Sequence, residues 1–81
     1  MTTQEEYDFA RDQVMQYIKP DNSYRFFYGK NSYRNKRIHI LAIVDNDFFV
    51  YKEWSKTKQR WMYFVEHFWY FFYRMEYIIK I

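Results

Sequence analysis

The stretch WMYFVEHFWYFFYRMEYII, residues 61–79, holds ten Phe, Trp or Tyr among nineteen residues. So much ring surface has three uses: a membrane span, a core, or a contact surface. A span needs about 20 largely uncharged residues. Glu66, Arg74 and Glu76 interrupt this run, which excludes a span. Each helical residue advances about 100°. Over 66–80, Phe68, Phe71, Phe72, Met75, Ile78 and Ile79 then share an arc of roughly 120°, the width of a core-facing stripe. Glu66, Trp69, Tyr70, Tyr73, Arg74, Glu76, Tyr77 and Lys80 fall outside it. The rings inside the arc are phenylalanines, and those outside carry polar tips. The spacing predicts a helix over 66–80 with more rings than one side can bury.

Upstream, WMYFV (61–65) is rich in strand formers. It reads as a strand entered through a turn at SKTKQ (55–59), in preference to one long helix from about 58 capped by Ser55 or Thr57. FFVYKEW (48–54) and IHILAIV (38–44) flank Asp45-Asn46-Asp47, a hairpin pattern. KNSYRNKR (30–37) is polar and reads as a loop, and YRFFY (24–28) as a short strand before the single glycine, Gly29. At the N-terminal end, Thr3-Gln4-Glu5-Glu6 has the form of a capping box. Tyr7, Ala10, Val14, Tyr17 and Ile18 follow at helical spacing, and Pro20 stops the helix. Phe9 falls among the polar residues of that helix, exposed or against a partner. The fold class expected is α+β: an N-terminal helix, a small antiparallel β-meander of three or four strands and a C-terminal helix, in one domain over 1–81.

That element order resembles the double-stranded-RNA-binding domain at the level of fold. The family places a Lys-rich cluster at the start of its second helix. Here the position reads Glu66-His67-Phe68-Trp69, so no residues carry over.

Hydrophobic types make up 49% of the 81 residues, enough for a core, although mean hydropathy is −0.71. Ten Tyr and three Trp reconcile the two figures, because their polar tips count against them. Net charge is a mild +3. The chain has no cysteine, and its start, MTTQEEYDFARD, is acidic where a secretory signal would be basic and then apolar. A cytoplasmic location is the expectation.

Two constellations can meet a partner. Trp69, Tyr70, Tyr73 and Tyr77, with Arg74, form the outer face of the C-terminal helix, and Trp and Tyr dominate protein-interface hot spots. The partner would be another protein, either a host enzyme or a second copy in a homodimer. An intramolecular cover is the competing reading. The second constellation is basic: Lys30, Arg34, Lys36 and Arg37 with Tyr33 among them, then Lys56, Lys58 and Arg60. Cations neutralise phosphates and rings stack on bases, so these loops suit nucleic acid or an acidic protein surface. As solvated loops they would only aid solubility.

No catalytic, metal or cofactor motif is present, and none is expected to act. GKNS (29–32) lacks the upstream glycine of a phosphate loop, and His67 belongs to no H-E-x-x-H. Asp45 and Asp47 read as turn residues and His39 as a strand residue facing away from Ile38 and Ile40. The sequence therefore points first to a small non-enzymatic protein-binding module. Size and composition suggest a virus-encoded inhibitor of the anti-CRISPR kind. RNA or DNA binding through 30–37 and 56–60 is the alternative.

Overall fold

A computed structural model describes residues 3–27 and 34–81. The elements are α1 (Gln4–Tyr17), β1 (Ser23–Phe27), β2 (Asn35–Val44), β3 (Phe48–Ser55), β4 (Arg60–His67), α2 (Phe68–Phe72), a 3₁₀ turn (Met75–Tyr77) and β5 (Ile78–Lys80). The α+β class is as expected: helices flank an antiparallel sheet, here of five strands in the order β4-β3-β2-β1-β5.

Local chemistry accounts for most boundaries. The Thr3 hydroxyl accepts from the Glu6 N–H at 3.1 Å, capping α1. Ala10, Val14 and Ile18 are buried, while Phe9 is 61% exposed. At the other end of α1, the buried Tyr24 hydroxyl donates to the Tyr17 carbonyl and accepts from the Lys19 N–H, both at 2.9 Å. The Tyr17 carbonyl is one of those that the C-terminal end of a helix leaves unpaired. In the 45–47 turn, Asp45 and Asn46 both take positive φ, 54° and 57°, and the Asp47 N–H bonds the Val44 carbonyl. Asx residues enter that left-handed region more readily than other non-glycine types, so the hairpin forms without glycine. The second hairpin is also present: the Ser55 hydroxyl accepts from the Lys58 N–H, Gln59 takes φ 54°, and β4 pairs with β3 from Ser55↔Arg60 to Phe48↔His67.

Two boundaries differ from the sequence reading. The expected helix over 66–80 is only Phe68–Phe72, because residues 78–80 leave it to pair with β1, Phe26 opposite Ile78. Aromatic and β-branched residues are indifferent helix formers, whereas the open edge of β1 offers backbone hydrogen bonds to an extended Ile-Ile. Residues 35–37, read as loop, extend β2 because Phe26 and Phe27 pair with Lys36 and Asn35. The remainder of that loop, including Lys30 and Tyr33, lies outside the described residues.

One sheet face packs on the helices. Tyr24, Phe26, Ile38, Ile40, Phe49, Tyr51 and Ile78 meet Ala10, Val14, Ile18, Phe68 and Phe71 in a single buried cluster. Phe71 sits edge-on to both Phe49 and Tyr51. Burial pushes the Tyr51 hydroxyl well above the usual tyrosine range, with nearby Tyr70, Glu66 and Glu53 adding to it. No helix among the described residues is long and apolar enough to cross a membrane.

Candidate functional site

Side chains alternate across a strand, so residues paired with the buried ones are covered and their neighbours face the other way. The register puts Arg25 opposite Arg37, Ser23 opposite His39, His39 opposite Lys52, Lys52 opposite Tyr63 and Trp54 opposite Trp61 on the uncovered face. Glu53 and Glu66 pair with Ile38 and Phe49, on the helix side. Among the described strand residues, the uncovered face thus carries cations and rings but no carboxylate.

Its geometry interleaves the two. The Trp54 and Trp61 rings meet edge-on at 5.3 Å, and the Lys52 ammonium stands 4.5 Å from the Trp61 centroid. Ser23, Arg37, His39, Lys52 and Trp61 line a cavity of about 200 Å3. Within it the Ser23 hydroxyl and His39 Nδ1 hydrogen-bond at 2.8 Å, which fixes the imidazole. Tyr63 is 67% exposed beside them. Farther along the sheet the face becomes aliphatic at Val44, Val50 and Val65.

The sequence-predicted basic clusters come together at one end of this sheet. Arg34, Lys36, Lys56 and Lys58 line one cleft of about 640 Å3 with Trp54 and Met62. Its one lining carboxylate, Glu53, is ion-paired with Lys36 at 3.0 Å. Lys36 faces the helices, where its ammonium also lies 5.2 Å from the Phe26 centroid, whereas Arg37 faces the open side. Arg60 stands at the start of β4, its Nε against the Met62 sulfur at 3.3 Å. Trp54 lines the cleft and touches Trp61, so it joins the cleft to the open face.

The predicted aromatic face divides. Trp69 and Tyr73 stack, 5.4 Å apart and 20° from parallel. With Glu5, Glu6, Phe9, Ala10 and Phe72 they line a groove of about 430 Å3 between α1 and α2. Tyr73 is 68% exposed. Tyr70 points elsewhere, beside Phe26 and under the Arg74 guanidinium at 4.2 Å, and Arg74 also donates to the Tyr70 carbonyl. Tyr77 sits half-buried in the 3₁₀ turn. The i, i+3, i+7 spacing of Tyr70, Tyr73 and Tyr77 does not operate, because the helix ends at Phe72.

His67 starts α2 from the last position of β4. Its Nδ1 accepts from the Trp69 N–H at 3.2 Å, so in the neutral ring Nε2 carries the proton toward the Tyr7 hydroxyl at 3.3 Å. It is a structural cap. Among the described residues no three His, Asp or Glu side chains gather as a metal site. Asp45 and Asp47 occupy the turn.

Arg25, Lys52, Trp54 and Trp61 were not singled out from the sequence. A period-two reading of 48–55, with Phe49 and Tyr51 inward, marks Lys52 and Trp54 as outward. Trp61 follows from its pairing across the second hairpin. Comparisons with protein-family models, curated proteins and solved structures find no match to this chain.

Proposed function

We propose that the chain is a non-enzymatic binding protein for single-stranded nucleic acid, held along the basic cleft and the open sheet face. One observation carries the reading: cations distant in sequence and half-buried rings line a track from Lys56 and Lys58 through Trp54 and Trp61 to Arg37 and Arg25. An open sheet face carrying rings suits unstacked bases, which stack on aromatics irrespective of sequence, while the cations neutralise phosphates. Paired bases would hide their faces from Trp61 and Tyr63. This is the second of the two functions expected from sequence, moved from loops to a sheet. The cytoplasm is the compartment this reading expects.

The test is fluorescence anisotropy with labelled RNA and DNA oligonucleotides, single-stranded and duplex, across a salt series. Arg25, Arg34, Arg37, Lys52, Lys56 and Lys58 give six phosphate partners. Each contributes about 0.7 to the log–log salt slope on single strands, for a total near 4. Arg37→Ala lowers the slope by about 0.7. A flat salt response, or a preference for duplex, would overturn the reading.

A second reading has its own support in the groove between α1 and α2. Phe9 and Tyr73 stand exposed on its lining and Glu5 and Glu6 give it negative charge. This chemistry fits a basic, apolar segment of a partner protein, whose surface the chain would occlude as an inhibitor does. Trp69 and Tyr73 are its centre, while Tyr70, Arg74 and Tyr77 do not line it. Titration with a basic amphipathic peptide, followed by NMR, is expected to shift the Trp69 indole and not the Trp61 indole. Shifts confined to Trp61 would reject the groove.

A further inference from the structure

We infer that β4 is a self-association edge, at which two copies of this chain join their sheets about a twofold axis. β4 is the last strand of the sheet on its side, and eight residues long. An edge strand presents a row of unpaired N–H and C=O groups, and proteins guard such edges with prolines, bulges or charges. Between Arg60 and Glu66 the sequence is Trp-Met-Tyr-Phe-Val, with none of these guards. Val65 is 61% exposed, Tyr63 even more so, and Phe64 also stands exposed. By contrast β5, the opposite edge, is three residues long.

The occupant is a second copy because the strand complements itself. Antiparallel pairing about a twofold axis at Tyr63 sets Tyr63 against its own equivalent, Met62 against Phe64, Trp61 against Val65 and Arg60 against Glu66. Every pair joins residues of the same sheet face, as directly opposed residues must. Arg60 and Glu66 make no ion pair within the chain among the described residues. The dyad supplies each with an opposite charge, twice. Moving the axis to Met62 or to Phe64 keeps the faces matched but loses both charge pairs, so charge selects the register. Aromatic against β-branched is also a favourable cross-strand pair, and Trp61 opposite Val65 provides two. The product is one ten-stranded sheet in which both open faces lie on the same side. The inference stands on the edge alone and does not require the nucleic-acid reading.

Sedimentation equilibrium tests it. The wild-type chain is expected at the mass of two 10.5 kDa chains. Arg60→Glu alone, or Glu66→Arg alone, sets like charges opposite each other and weakens dimerisation about tenfold or more. The double variant Arg60→Glu/Glu66→Arg restores it. Val65→Lys, at an exposed position where folding is not at stake, also yields monomer, and circular dichroism confirms that each variant keeps the wild-type spectrum. A wild-type monomer at high micromolar concentration would overturn the inference. So would a dimer that survives Val65→Lys, or a charge swap that fails to restore association.

Discussion

The two faces of the sheet are made from alternate residues of the same strands, yet they differ in kind. In β3, Phe49 and Tyr51 are buried against Phe71, while Lys52 and Trp54 are partly exposed beside Trp61. The covered face carries charges of both signs, with Lys36 and Glu53 joined as an ion pair. The open face has cations and no acid among the described strand residues. A helix layer on one side thus relieves the other side of any need to be polar and neutral. Stability and contact can then be altered separately at positions one residue apart.

Four measurements sharpen or break that separation. The largest effect is expected for Phe71→Ala, which empties the centre of the covered face and costs about 3–5 kcal/mol, a large share of a small domain's stability. Thermal unfolding reads it, and a loss below 1 kcal/mol would mean that the helix layer does not hold the sheet. Next is Trp61→Ala, expected to weaken single-strand binding by about 1–3 kcal/mol while the melting temperature changes little. If the melting temperature falls as far as in Phe71→Ala, the two faces are not separable. Third is Tyr24→Phe, which removes the hydroxyl closing α1 and costs about 1 kcal/mol in chemical denaturation without affecting oligonucleotide affinity.

The smallest effect appears only in alkali. Burial raises the Tyr24 and Tyr51 hydroxyls above their ordinary value of 10.0. Above pH 10 the unfolded chain therefore releases protons that the folded chain keeps, so the unfolded state gains. Stability is full below that pH and falls as pH rises beyond it. Tyr51→Phe should flatten the fall, as read from melting temperature against pH. A slope unchanged by Tyr51→Phe would reject the assignment.

What the sequence made legible was local. The cap at Thr3, the stripe Ala10–Val14–Ile18 and both hairpins depend on residues close in the chain. The shortening of the C-terminal helix was hidden because the competitor for Ile78 is β1, more than fifty positions away. Residues 66–80 fit a helical arc well, and no periodicity within them reveals an open edge elsewhere. The site was half legible for the same reason. Both basic clusters are plain in the sequence, but their meeting at one cleft depends on how β2 lies beside β3. In β4 both faces are apolar, so alternation does not say which is uncovered.

The pairing of β1 with Ile78–Lys80, reinforced by the Tyr17 hydroxyl on the Ile78 carbonyl at 2.7 Å, bears on vectorial synthesis. A nascent chain emerging from the ribosome can assemble the hairpins early, but β1 keeps one flank bare until residue 80 is free of the exit tunnel. Cooperative closure is therefore postponed to that moment. Translation stalled before Ile78 would leave a sticky intermediate for chaperones to hold.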